Sequence, residues 1–326
     1  MRHIFVKLLL CAACLLLCGW AAADTVEALD GSGVLLETLP MDDYTVYGQA
    51  VDPESAGETE YSDPSIQVSI RHEWIGEAHY NIAIIKIAHP SQLRTALYKN
   101  SIKKNNYVWV TAAQNNAVVA IGGEFLNKNE GTYTVRMSQL LRTKGKKSRD
   151  ALFIDQYGDF HITKGFSKDT VTQLQEQGLQ IINAFNFGPA LIIDGEPVYD
   201  LCRGKPRYPI GLTTARQPRT AIGQLGPLEY MLVVVDGRKV KVTDPDGTVR
   251  RSPGVDVFTL GEYMLSCGCT QAYTLDGGGS AAMYYAGTGL YSNPCTKRGV
   301  TDIIYFASLA VAETQTDTTA TPTSAE

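Results

Sequence analysis

Apolar and polar residues alternate from position 66, where Ile66, Val68 and Ile70 are separated by Gln67 and Ser69. That period of two is the signature of a half-buried strand. A second strand follows in Tyr80-Asn81-Ile82-Ala83-Ile84-Ile85-Lys86-Ile87. Positions 90–98, opening on Pro90, predict a short helix. Positions 107–110 and 117–121 predict two more strands, the second running into Gly122-Gly123-Glu124-Phe125. Between 131 and 164, short strands are separated by Gly-containing turns such as Tyr157-Gly158-Asp159. Positions 170–179 predict a helix. The stretch 191–198 reads as a hairpin turning on Asp194-Gly195. Strands at 231–235 and 240–242 flank Asp236-Gly237-Arg238, an amphipathic helix covers 257–265, a buried strand 272–275, and a last apolar strand 303–309. Many strands with few helices, and no strict alternation of the two, predict an α+β class. The expected fold is a single domain with a large, mainly antiparallel or mixed sheet core and a few packed helices. No internal repeat is present.

The two ends break this pattern. Arg2 and Lys7 precede a short apolar run at 8–17, and Ala21-Ala22-Ala23 before Asp24 supplies small residues for cleavage. The run is short for a membrane span, which needs roughly 20 residues. Residues 1–23 therefore read as an export signal, and the mature chain as secreted or held at the cell surface. Contact with a membrane is expected only through an uncleaved N-terminal segment. Residues 24–65 are acidic and weakly patterned and form an N-terminal extension; 66–311 form the domain; 312–326, rich in Thr, Ala and Pro, form a disordered tail. The 326 residues carry a formal net charge of −5, which argues against a general nucleic-acid binder.

Loss of the signal would leave Cys202, Cys267, Cys269 and Cys295. An even number in an exported chain permits disulfides. Cys202 and Cys295 lie in turn-rich segments and are the expected pair, whereas Cys267 and Cys269, ending a helix pattern, are expected as buried small hydrophobes. A Cys-x-Cys zinc site lacks a His or second Cys pair at ligand spacing. No cofactor is implied, and the need for a metal is left open.

The strongest local signal for chemistry is Leu275-Asp276-Gly277-Gly278-Gly279-Ser280. A short buried strand delivers a carboxylate to its end, and three glycines follow at once. Residues without Cβ atoms let backbone N–H groups approach a ligand closely, and clustered N–H groups form a concavity suited to an anion. A plain tight turn with a capping Asp is the alternative. No Gly-Lys-Ser/Thr follows, so this is not a Walker loop.

Several blocks together resemble the phosphodiester glycosidase family. They are Arg219-Thr220-Ala221-Ile222-Gly223, Val233-Val234-Val235-Asp236-Gly237-Arg238, Leu260-Gly261-Glu262-Tyr263-Met264, the Asp-Gly-Gly-Gly-Ser turn and the closing stretch from Arg298. Their order and spacing agree with the family from about residue 66 to 310. One block departs: where the family carries Asn-Gly-Gly or Asn-Gly-Asp before an aromatic pair, this chain has Gly122-Gly123-Glu124-Phe125, so an Asn side chain is replaced by none.

The resemblance implies an exported hydrolase acting on a sugar–phosphate diester, with a carbohydrate or sugar-phosphate polymer, such as exopolysaccharide, as its partner. Such a reaction passes through an oxocarbenium-like state and usually employs two carboxylates. Asp276 is the first choice for nucleophile or base, and Glu124 and Glu262 compete for the second position. Arg219 suits bidentate phosphate binding, with Arg298 as a second contact. Thr220, Gly277, Gly278, Gly279 and Ser280 complete the expected binding set. A non-catalytic carbohydrate-binding protein on the same fold is the rival reading.

Other signals carry less. His72-Glu73 and His79 lack the His-Glu-x-x-His spacing of a metalloprotease helix and fall in strand pattern. Ser280 has no Gly-x-Ser-x-Gly elbow. Asp244-Pro245-Asp246-Gly247 between two strands reads as a hairpin turn rather than a calcium loop. The basic run at 142–149 reads as a solvated loop, with contact to a polyanionic polymer as the alternative.

Overall fold

A computed structural model describes residues 56–309, apart from 128–130, 203–207, 209–212, 291, 293 and 297. The expected export signal, most of the extension and the expected tail lie outside these residues. Three main sheets form, and every strand pair among the described residues is antiparallel. The largest has eight strands in the spatial order Glu60–Asp63, Ile66–Ile75, Ala78–Ile87, Glu229–Val235, Arg219–Gly226, Gln271–Thr274, Ala190–Ile193 and Glu196–Pro197. A second runs Gly289–Leu290, Met283–Tyr285, Ala117–Gly122, Asp302–Ala307, Leu93–Leu97. The third runs Gln139–Arg142, Thr134–Arg136, Ile181–Phe185, Ala151–Asp155, Phe160–Thr163.

The three sheets share one core. Ile85, Ile222, Leu232 and Tyr273 from the first meet Val119, Ile304 and Phe306 from the second and Leu152, Ile154 and Phe185 from the third. The outer face of each sheet is covered by one helix: Val257–Ser266 on the first, Val108–Gln114 on the second, Lys168–Glu176 on the third. This arrangement explains the unbroken apolar run Met231-Leu232-Val233-Val234-Val235. Leu232 and Val234 face the shared core, while Met231, Val233 and Val235 face the helix layer, so both faces of the strand are buried. Each fully buried aliphatic side chain contributes roughly 1.5–3 kcal/mol, so this one strand is a large part of the adhesion between layers.

The α+β class, the antiparallel sheet core and the few packed helices agree with the sequence expectation. The Asp194-Gly195 hairpin forms, and Asp244 to Gly247 is a turn between Val240–Thr243 and Val249–Ser252, closed by the Gly247 N–H on the Asp244 carbonyl at 2.8 Å. His72 and His79 lie on paired strands.

Two local expectations fail. The helix expected at 90–98 is only a single 3₁₀ turn, Pro90–Gln92, after which Leu93–Leu97 is a strand paired with Asp302–Ala307. Backbone pairing with a strand some 200 residues away overrides the local preference. The strand expected at 107–110 is the first turn of the helix Val108–Gln114, whose buried residues Val108, Thr111 and Ala112 have i, i+3, i+4 spacing. The β-favouring Tyr-Val-Trp-Val run hid that period. Glu60–Asp63, within the expected extension, is an edge strand on Ile66–Ile75.

Candidate active site

The strands Arg219–Gly226 and Gln271–Thr274 run antiparallel, with Ala221 opposite Thr274. Beyond Thr274 the chain is pinned on both sides. The Leu275 N–H donates to the Thr220 carbonyl at 2.9 Å, and the Asp276 N–H to the Gly123 carbonyl at 3.0 Å. Gly123 follows the strand Ala117–Gly122 of the second sheet, so Asp276 stands where two sheets meet.

The Asp276 carboxylate opens on a cleft of about 400 Å³. Arg298 Nη2 donates to its two oxygens at 3.3 and 3.0 Å, and to the Gly277 carbonyl at 3.3 Å. Arg298 Nε donates to Ser280 Oγ at 2.8 Å, and Ser280 in turn hydrogen-bonds Asp276. Burial pushes the Asp276 carboxyl above the ordinary carboxylate range, and the Ser280 hydrogen bond and the Arg298 charge oppose the rise.

Among the described residues, the remaining charged groups lining the cleft are arginines. Arg219 directs Nε to the Val255 carbonyl at 3.0 Å and Nη2 to the Ala215 carbonyl at 2.8 Å, so backbone fixes its guanidinium at the wall. Arg238 is held by Gln217 Oε1 at 3.0 Å, and the Arg149 guanidinium lies over the Phe187 ring at 5.1 Å. Arg298 lies over the Phe125 ring at the same distance. Four guanidinium groups and one carboxylate therefore line a space walled by Phe125 and Phe187. Clustered like charge between low-dielectric walls raises the local concentration of anions.

The three glycines serve a different end from the expected one. The Gly278 N–H is spent on the Pro218 carbonyl at 2.9 Å and the Ser280 N–H on the Gly277 carbonyl at 3.2 Å, so successive N–H groups do not form an open anion nest. What the turn needs is room. A Cβ on Gly277 would stand 2.7 Å from the Pro218 oxygen, and Gly278 has φ +61 with Arg238 Nη2 2.9 Å from where its Cβ would be. The absence of side chains lets arginine approach the backbone beside Asp276.

Of the sequence-predicted residues, Asp276, Gly277, Gly278, Arg219 and Arg298 come together in the cleft. Gly279 and Ser280 lie just behind its wall, and both Ser280 and Thr220 are buried. The Thr220 side chain does not line the cleft. Glu124 does not line it either: its carboxylate is buried, accepts the Asn186 N–H through Oε1 and faces Arg136 Nη2 across 3.5 Å. Burial lifts Glu124 to about 7 despite the nearby Arg136 charge. Glu262 is on the exposed side of the helix Val257–Ser266, away from the cleft that Val257 touches. Neither of the two expected second carboxylates therefore meets Asp276 in the cleft.

Gly122 faces Val300 and the Ser280 carbonyl, so an Asn at that position would point at the back of the glycine turn. Cys295 is a free thiol, with Sγ 3.6 Å from the Gly278 carbonyl, rather than half of the expected bridge. The side chain of Cys202 lies outside the described residues. Cys269 is buried against Met231, and burial pushes its thiol up to about 12.

Sequence reasoning missed Arg149, Arg238, Phe125 and Phe187 as lining residues. Arg238 was present in a quoted block, and Phe125 follows the Gly-Gly pair, so the signal for these two was adjacency to family motifs. Arg149 ends the basic run at 142–149, for which contact with a polyanionic polymer was the alternative to a solvated loop, whereas nothing in the sequence marked Phe187.

Among the described residues, the cleft set between the antiparallel sheets is walled by arginines and carries one carboxylate. The chain matches the phosphodiester glycosidase family over residues 115–307 and belongs to that family. The catalytic domain of zebrafish N-acetylglucosamine-1-phosphodiester alpha-N-acetylglucosaminidase, in a form auto-inhibited by its pro-peptide, has a similar fold. The TM-score is 0.57 at 16% identity, covering 81% of this chain and 89% of that one. An uncharacterized SPbeta prophage-derived protein of Bacillus subtilis, YomE, is 32% identical over 99 residues, 30% of this chain and 13% of that protein. The chain thus spans only a small part of that relative's length.

Proposed function

We propose that the protein is an exported glycoside hydrolase that cleaves a glycosyl phosphodiester in a cell-surface polymer or exopolysaccharide. The observation that carries this reading is the Asp276 carboxylate facing a cleft whose other charged lining groups, among the described residues, are four arginines. Cleavage of a sugar–phosphate bond releases a phosphate monoester, which is already a good anion. Guanidinium groups placed where that charge develops stabilise the departing phosphate, so protonation of the leaving oxygen is not needed. Asp276 acts at the anomeric carbon, as nucleophile or as base on a water molecule. The anomeric C–O bond breaks, and its electron pair leaves on the phosphate oxygen. Phe125 and Phe187 offer apolar surface to the sugar. Family membership and the activity named for the zebrafish enzyme support the class of bond. The basic, apolar and small-residue succession at 1–23 supports export.

One observation favours the rival reading of a binding protein without turnover. Asp276 is already paired with Arg298, and among the described residues no second carboxylate of the kind glycosidases usually employ lines the cleft. Incubating purified protein with a panel of glycosyl phosphate diesters separates the two. Release of free sugar supports the hydrolase; binding of diesters without release supports the binding protein. The anomer first released then distinguishes nucleophile (retention) from base (inversion).

A further inference from the structure

The stretch 142–149 holds Arg142, Lys144, Lys146, Lys147 and Arg149 and no acidic residue. A run of like charges repels itself and, left alone, extends into solvent. Here it is fastened at several points. Arg142 Nη2 donates to the Leu126 carbonyl at 2.8 Å, one residue beyond Phe125. Gly145 is packed so closely on the Phe166 ring that a Cβ would overlap it. The Lys146 N–H donates to Asn186 Oδ1 at 2.7 Å, and Asn186 Nδ2 donates to the carbonyls of Lys146, Arg149 and Asp150 at 3.3, 3.1 and 3.2 Å. Asn186 is fully buried, and Phe187 follows it. Arg149 closes the run, with Nη1 3.4 Å from the Phe187 carbonyl.

The run is therefore tied at one end beside Phe125 and at the other end to Phe187, both of which line the cleft. Cations fixed this close to the cleft arginines repel one another, and an anion spanning both places would relieve that repulsion. The cleft arginines already suffice for one phosphate. Lys144 and Lys147 are exposed between these two ties and outside the cleft lining, where they would meet the next charged group of a longer chain.

We infer that the rim 142–149 binds a second phosphate of a polyanionic chain whose first phosphate sits in the cleft. The substrate is then a polymer of phosphodiester-linked sugars rather than a small single diester. This rests on the glycosyl-phosphodiester reading of the cleft.

The test compares wild type with the Lys144→Ala/Lys147→Ala double variant, using inorganic phosphate and inorganic polyphosphate as calorimetric probes. Wild type should bind polyphosphate the more tightly, and saturating inorganic phosphate should compete with it. The double variant should lose affinity for polyphosphate by about tenfold, more at low salt, with inorganic phosphate binding unchanged. Equal polyphosphate affinity in the two proteins, or no competition by inorganic phosphate, overturns the inference. On substrates, the double variant should raise KM for an oligomeric glycosyl phosphate while leaving kcat and KM for a single diester unchanged. A parallel rise in KM for both would overturn it. If no diester is cleaved at all but polyphosphate binding still depends on the lysines, the hydrolase reading fails and the rim stands.

Discussion

Two carboxylate–arginine groupings lie back to back in this protein, and only one of them opens on the cleft. Asp276 meets Arg298 at 3.0 Å, and the Arg298 side chain is 42% exposed. Behind it, Glu124 and Asp302 share Arg136, and all three side chains are almost wholly enclosed. Arg136 gives Nε to Asp302 Oδ2 at 2.8 Å and Nη1 to the Val135 and Ala184 carbonyls at 2.9 and 2.5 Å, and it lies over the Phe185 ring. Asp302 accepts the Glu124 N–H at 3.0 Å. The inner group spends its donors and acceptors on the three sheets, whereas the outer group keeps a charged face toward the cleft. The same residue types thus act as framework in one place and as candidate chemistry a few residues away, and only access to solvent separates them.

Removing the inner cation should give the largest effect. Arg136→Met leaves two buried carboxylates without their cation, which should destabilise the fold by about 3–5 kcal/mol in urea denaturation. A loss below about 1 kcal/mol would mean the cluster does not hold the sheets together. At the outer group the damage should fall on rate instead. Asp276→Asn should lower kcat on the order of 10²-fold, with the melting temperature nearly unchanged. The acid limb of the wild-type kcat/KM profile should lie above the ordinary carboxylate range, because burial raises Asp276. Turnover by the Asn variant at the wild-type rate would move the catalytic carboxylate elsewhere.

A smaller effect is expected from Glu124, and it appears only as a dependence on pH. Its folded value of about 7 lies above its ordinary 4.5, so the folded state binds this proton more tightly than the unfolded chain. The resulting stability is complete below about 4.5 and is lost as pH rises through 7. Glu124→Gln should therefore shrink the loss of stability between about pH 5 and pH 8. An unaltered pH dependence would put the buried proton on Asp302, whose carboxyl burial also raises. Least of all should follow from Glu262→Ala, which changes an exposed helix position. Its kcat/KM should stay within about twofold of wild type, and a larger fall would bring that helix face back into the site.

The strands and the hairpin turns were legible because their period and their Asp-Gly punctuation are local properties. The position of Asp276 was legible for the same reason: a buried strand ending in an acid and three glycines leaves little choice of geometry. The choice among carboxylates was not. Glu124 and Asp276 each follow a buried strand beside glycines, and what parts them is Arg136 arriving from a third sheet, which no local pattern encodes. Arg149 was hidden in a similar way. Its run has the composition of a solvated loop, and its fastenings, chief among them the buried Asn186 almost forty residues further on, come from distant parts of the chain. The helix at Val108–Gln114 was misread because its aromatic and β-branched residues favour strands, while the second sheet offered them a face to cover.

The strand Asp302–Ala307 lies between Ala117–Gly122 and Leu93–Leu97, in the middle of its sheet, and it carries the acid that anchors Arg136. An interior strand drawn from so late in the chain has a consequence for biosynthesis. A nascent polypeptide cannot close its second sheet, or neutralise Arg136, until nearly everything up to Ala307 has emerged. Contacts of such long sequence separation make for slow folding, because the ordering cost is met before the partner strand arrives. During that interval the chain stays open, in a state that chaperones can hold.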